Sequence, residues 1–256
     1  MVFFYYMENT THYGQIDFNL PHDVVPLPSQ GKFYKNKKQS IKVGYLTAQD
    51  ENILLSTTIR SQGVVKTLLK NKIYEPDMNV EELLECDIQA ILIFLRNTSF
   101  GTEYVFSLKD PKTGMEFQRT IELEELNINP PKYQPNNEGL FEFTTPRGGH
   151  KVLMRLLSMA DLDLLDKLSD SYPEGMTVPI VTKRLELQIV EMDGTRDKEK
   201  ISQIIPQLPI VDSKFLRSEI QLCEPKLDLK RIVTAPSGEK VEVNIGFGAE
   251  FFRPFF

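Results

Sequence analysis

Polar and apolar residues alternate from Ser40 to Leu46 (SIKVGYL), the period-two pattern of a half-buried strand. Ahead of it, Pro26, Pro28 and Gly31 exclude regular helix between Pro21 and Tyr34. Behind it, Thr47 and Asp50 have the Ser/Thr-x-x-acid form of a helix start, and the helix they open carries Ile53 and Leu54 on one face. The spacing predicts a second helix over 63–73 and a third over 80–96. In the third, Leu83, Leu84, Ile88, Ile91, Leu92 and Leu95 recur at helical intervals between Asn79 as cap and Gly101 past the end. A hairpin follows over 103–123, EYVFSLKD and MEFQRTIEL joined by the turn Pro111-Lys112-Thr113-Gly114.

Residues 127–147 hold Pro130, Pro131, Pro135 and Pro146 and read as an extended linker with one short strand near 140–144. After Gly148 and Gly149 the pattern predicts a helix from His150 to about Leu168, with Val152, Leu153, Leu156, Leu157, Leu164 and Leu165 as its stripe. Further helices are expected over 182–192, over 197–208 with an interrupting proline, and from Asp212 through SKFLRSEIQLC to Pro225. A second hairpin, 228–234 and 240–245 about Pro236-Ser237-Gly238, precedes the aromatic end FFRPFF. The order predicts an α+β fold of two pseudo-repeated lobes, each of short helices with a β-hairpin, joined by the proline-rich linker. The divisions expected are an N-terminal arm and loop (1–39), a first lobe (40–126), the linker (127–147) and a second lobe with the aromatic C-terminus (148–256). The repeat rests on Phe94-Leu95-Arg96 and Phe215-Leu216-Arg217, each ahead of a proline–glycine turn but at unequal distances.

A hydrophobic fraction of 41% and a charged fraction of 26% over 256 residues are those of an ordinary globular protein. The net charge of −6 gives no surface for a phosphate backbone. The one basic run, Lys32 to Lys38, reads as a solvated turn, with single-strand stacking through Phe33 and Tyr34 as the weaker alternative. Cys86 and Cys223, far apart, are expected as buried free thiols of a reducing compartment. The apolar start MVFFYYM lacks the basic region of a signal peptide, and no run reaches the roughly 18 apolar residues of a membrane span. Cytoplasmic location is the expectation.

No catalytic, cofactor or metal residues are assigned. His12, His22 and His150 have no nucleophile or carboxylate at a motif spacing. Gly148 and Gly149, with Arg147, can present amides to an anion, but a flexible helix entry with His150 near the N-cap is favoured. Asp161, Asp163 and Asp166, and Glu81, Glu82 and Glu85, read as solvated helix faces. The candidate partner-binding residues are aromatic: Phe3, Phe4 and Tyr5 at one end, and Phe251, Phe252, Arg253, Phe255 and Phe256 at the other. For the C-terminal rings, folding back onto the chain's own core is an equal alternative.

Four segments, LPSQGKFY (27–34), the LR-x-x-S-[FY]-G element (95–101) with Thr102-Glu103-Tyr104, VDSKFLR (211–217) and FGAEFFRPF (247–255), resemble in their order the hub and hub-assembly proteins of T-even-type phage baseplates. The likeness covers about residues 25–256. It implies a structural or assembly role in the central hub of a contractile tail, by protein contacts and without covalent chemistry. Other baseplate and tail proteins are the implied partners, with several copies arranged about an axis. The implied places are the host cytoplasm during assembly and the virion. In many relatives the hairpin turns carry paired cysteines resembling a zinc knuckle. Here Asp110–Gly114 and Ala235–Gly238 supply no thiolate, whereas structural zinc takes about four N or S ligands, so a metal-free protein held by plain hairpin packing is expected. The rival readings are a general cytosolic adaptor or scaffold and, less favoured, a single-stranded nucleic-acid binder.

Overall fold

Strand β1 (His22–Pro26) pairs antiparallel with β2 (Ser40–Gly44), Val24 opposite Lys42, which accounts for the alternation in SIKVG. Ile41 and Val43 face the core. Pro26 is tolerated opposite Ser40 because the neighbouring Leu27 amide, not its own, donates across the ribbon to the Gln39 carbonyl at 2.8 Å. Gly44 is required by packing, since a Cβ there would stand 2.3 Å from the Tyr74 hydroxyl. These strands and the elements below come from a computed structural model, which describes residues 21–55, 61–123, 127–173, 175–247 and 249–252.

Helix α1 (Ala48–Leu54) opens as the sequence predicts, with the amide and hydroxyl of Thr47 both 2.7 Å from the Asp50 carboxylate. Asp50 is buried, and it also pairs with Lys72 at the end of α2 (Ser61–Lys72). One capping residue thus joins two helices. Burial pushes the Asp50 carboxyl up, but Lys72 and Thr47 outweigh that and hold it below its ordinary range.

The helix expected over 80–96 is divided. Asn79 caps a single 3-10 turn, Val80–Glu82, by accepting from the Glu81 amide; Leu83 and Leu84 are extended, and α3 (Glu85–Phe100) begins after them. The cause is tertiary: the Leu84 amide donates to the Tyr34 hydroxyl at 3.0 Å, and Leu84 forms a β-bridge with Ser158. Leu83 and Leu84 are buried as extended chain, where apolar residues are also accommodated, so the apolar spacing does not register the break. The far end lies at Gly101, whose φ of +84° suits glycine. The hairpin β3 (Glu103–Lys109) and β4 (Glu116–Glu122) follows in the expected place.

The stretch 127–147 contains β5 (Ile128–Asn129) and β6 (Phe141–Thr144), and Phe141 and Phe143 are buried. The helix expected from His150 is corrected. Lys151–Met154 is β7, and α4 (Met159–Ser171) starts only after Ser158, whose amide donates to Asp161 at 2.8 Å. Val152 and Met154 alternate into the core while β7 pairs on both sides, so period two prevails over a stripe that also fits helical spacing. The helix expected over 182–192 is likewise split into α5 (Ile180–Gln188) and β8 (Ile189–Met192), giving an antiparallel sheet of order β6-β7-β8.

Asp197 caps α6 (Lys198–Ile204), and Pro206 lies in the 3-10 turn beyond it. Helix α7 (Ile210–Gln221) leads to β9 (Lys226–Leu227), which pairs with β5, and then to the second hairpin, β10 (Lys230–Thr234) with β11 (Lys240–Asn244). A 3-10 turn, Ala249–Phe252, ends the described chain. The fold is α+β. Its buried hydrophobics form one connected cluster from Val25 to Phe252, and α3 touches β1, β2, β9 and the Ala249–Phe252 turn.

Because Asp50 and Lys72 are both almost sealed from water, Lys72→Met leaves a buried carboxylate without its countercharge and is expected to destabilise the fold by about 3 kcal/mol. In urea titrations, adding Asp50→Asn recovers part of that loss.

Candidate functional site

The four segments that carry the resemblance are distributed along the chain, and in the fold each becomes one end of a polar tie. The first joins the 27–34 loop to α3. Asp87, fully buried in the first turn of α3, accepts from the Ser29 amide at 2.9 Å, from the Tyr34 hydroxyl, and from the Cys86 thiol at 3.7 Å. Burial holds the Asp87 carboxyl above its ordinary range, although these donors work against it. Burial and then Asp87 push the Tyr34 hydroxyl up, and the Cys86 thiol likewise. Cys86 and Cys223 are both free and buried, as the sequence led us to expect; a thiol raised in this way is no nucleophile at neutral pH.

The second tie lies at the other end of α3. Arg96, also fully buried, donates to the carbonyls of Phe251 (3.2 Å), Gly101 (2.7 Å) and Glu103 (2.9 Å). Its guanidinium sits 5.0 Å from the Tyr104 ring centre and 5.6 Å from that of Phe251. Burial holds its pKa below the ordinary arginine value. Thus LR-x-x-S-[FY]-G and FGAEFFRPF, remote in sequence, meet at one side chain. Phe251 and Phe252 are 0% exposed and pack on each other, with Tyr104 and Phe247 against Phe251. The candidate partner surface is corrected here: Phe251 and Phe252 belong to the chain's own core, because Arg96 and the aromatic cluster hold them inside. Arg253, Phe255 and Phe256, like Phe3, Phe4 and Tyr5, lie outside the described residues.

VDSKFLR provides the third tie. Asp212, in the first turn of α7 and fully buried, accepts from the amides of Arg147 and Gly148, each at 2.8 Å. The less favoured reading of this stretch, amides presented to an anion, is met from within the chain, by the Arg147 and Gly148 amides on Asp212. The two Phe-Leu-Arg triplets differ in their work: Arg217 is half-buried and donates to the Ser213 carbonyl of its own helix, unlike Arg96. A fourth tie joins the two hairpin turns. Asp110 accepts from Lys112 (2.9 Å) and Thr113 (3.1 Å) in its own turn and from the Ser237 amide (2.9 Å) in the other. Arg119 adds two bonds to the Thr234 carbonyl. Burial pushes the Asp110 carboxyl up, but Ser237 and the amides of Lys112 and Thr113 bring it down to about 2.

Residues that might do chemistry are occupied in the same manner. His150 Nδ1 is 2.7 Å from Asp193 Oδ2, while its amide donates to Thr145 Oγ1. Asp161 receives a two-pronged bond from Arg155, at 2.6 and 2.8 Å. In the basic run, Lys38 pairs with Glu75 and with Asp77 at 2.6 Å, and Lys32 reaches Gln134 at 3.1 Å, so two of its four lysines are engaged within the chain. Among the described residues no group of three or more His, Cys, Asp or Glu is placed to hold a metal, and no helix is long and apolar enough to cross a membrane. The signal for the ties was present in the sequence as isolated charges within apolar stripes, Asp87 before Ile88 and Arg96 after Leu95.

The buried polar side chains Asp87, Arg96 and Asp212 thus hold loops and the chain end to helices. The family model of the T4 bacteriophage base plate protein matches residues 22–253, and the chain belongs to that family. It is a structural protein of a phage baseplate. Neither the curated proteins nor the solved structures contain a match.

One carboxyl is answered on one side only. Glu224 Oε1 is sealed from water and has no hydrogen-bond partner among the described residues. Burial, then Glu85 and Asp87, hold this carboxyl up at about 7, against help from the Cys86 amide and Lys226. Its folded value lies above its unfolded one, so folding is favoured while it is protonated. That advantage is lost as pH rises from about 4.5 to above 7. Glu224→Gln is therefore expected to be close to neutral at pH 5 and stabilising by on the order of 2 kcal/mol at pH 8, as read by urea midpoints across pH.

Proposed function

We propose that this baseplate protein acts at the central hub of a contractile tail, as a component or assembly factor, through protein contacts and without covalent chemistry. The observation that carries the reading is the family match over 22–253, together with the order of the four segments that resemble hub and hub-assembly proteins. The geometry supports a contact role because the side chains capable of acid–base or nucleophilic work, Asp87, Asp110, Asp212, His150 and Cys86, are committed to bonds within the chain. Its partners are other baseplate and tail proteins, met in several copies about the tail axis. It acts in the host cytoplasm during assembly. The residues proposed to reach those partners are Phe3, Phe4, Tyr5, Arg253, Phe255 and Phe256.

Mass spectrometry of purified virions and of assembling baseplates tests this. The protein is expected in one or both fractions at fixed stoichiometry, cross-linked to tail proteins near the axis. Its absence from both, or its cross-linking only to host proteins, sinks the proposal. Removing residues 253–256 while keeping Phe251 and Phe252 is expected to leave a folded protein, seen in an unchanged melting curve, that no longer supports baseplate assembly.

A further inference from the structure

We propose that Glu224 is a pH-operated latch, which holds the ribbon β5–β9 against the start of α3 while neutral and lets the ribbon open when ionised. Its neighbours in sequence fix the geometry. Cys223 and Pro225 are buried on either side of it, and β9, which follows, touches α3. The Glu224 carboxyl accepts from the Cys86 amide through one oxygen, while the other, Oε1, is sealed from water and has no partner among the described residues. A carboxyl bonded to the Cys86 amide sits between the residues that flank Cys86, and both are acids, Glu85 and Asp87. Ionising Glu224 therefore sets a third carboxylate beside two others, with one oxygen that neither water nor a donor reaches.

The other groups around this carboxyl do not offset that charge. Lys226, the cation that acts on it, is exposed on β9. Tyr34, from the 27–34 loop, already donates to Asp87. Lys132, beside β5, lies over the Tyr133 ring and 3.9 Å from Glu219 of α7. The Cys86 thiol, raised by burial and then by Asp87, brings no positive charge. The ribbon is the part that can yield. Ile128 and Asn129 pair with Leu227 and Lys226, and beyond them the Lys132 amide donates to the Leu222 carbonyl (2.7 Å) and the Asp228 amide to the Asn127 carbonyl (2.8 Å). A two-stranded ribbon this short is marginal without support from elsewhere, and such a unit opens at a lower cost than the whole fold. The closed carboxyl titrates at about 7, whereas a released one returns toward 4.5. The closed form is thus fully favoured below about pH 4.5, weakens as pH rises, and has lost this advantage once pH passes about 7.

Hydrogen–deuterium exchange of the full chain, corrected for the intrinsic rise of exchange with pH, tests the latch. The Lys132 and Asp228 amides, both bonded across the ribbon, are expected to lose protection at least about tenfold between about pH 5 and about pH 8. Dilute urea is expected to leave that loss unchanged, the mark of a local opening, while it speeds exchange at the fully buried Leu68 and Leu69 of α2. Glu224→Gln is expected to keep both amides protected across the range. Lys226→Gln, which removes the cation, is expected to move the loss to higher pH. Protection that does not change with pH overturns the proposal, as does a Glu224→Gln protein that retains the loss, or a Lys226→Gln protein in which it moves to lower pH. A loss at Lys132 and Asp228 with the same urea dependence as at Leu68 and Leu69 also overturns it, because Glu224 then acts on the stability of the whole fold and not on the ribbon.

Discussion

Helix α3 carries a buried anion near its start and a buried cation near its end, and the two never meet. Asp87 and Arg96 are nine positions apart on the helix, roughly 14 Å along the axis, so neither neutralises the other. Asp87 is answered by an amide, a hydroxyl and a thiol; Arg96 is answered by three carbonyls and two ring faces. Each bond is assisted by a charge that water cannot reach, which makes it stronger than a neutral bond and makes its loss costly. The first site fixes the loop ahead of β2. The second fixes the end of the described chain and the entry to β3.

The same device recurs away from α3. Asp212 holds the turn that feeds β7, Asp110 holds one hairpin turn to the other, and Asp50 joins α1 to α2. Two-stranded ribbons such as β3–β4 and β10–β11 are marginal alone, so the Asp110–Ser237 bond and Arg119's reach to Thr234 supply support that each lacks. Such a molecule suits a baseplate, where a subunit must keep its shape under contact from several sides. Its loops are held by internal bonds.

Much of the element order was legible. The strand at 40–44, the Thr47–Asp50 helix start, both hairpins and the helix beginning at 197 follow from local residue chemistry, which acts over a few positions and is visible in sequence. What was misread has one physical origin. At 83–84 and at 151–154, apolar residues at helical spacing are also consistent with extended chain. The choice was made by partners far away, Tyr34 and Ser158 in the first case and β6 and β8 in the second. The aromatic end was legible as sticky but not as buried. What decides the matter for Phe251 and Phe252 is Arg96, more than 150 positions away, as it is bonded to the Phe251 carbonyl. Asp212 was taken as the opening of its own helix; it faces instead the amides of Arg147 and Gly148.

The separateness of the two charges on α3 can be measured by hydrogen–deuterium exchange on Asp87→Ala and Arg96→Met. The account predicts that the first variant loses protection in residues 27–34 and keeps it in 249–252, and that the second shows the reverse. Uniform loss across both segments in either variant, or unchanged protection in both, would contradict it.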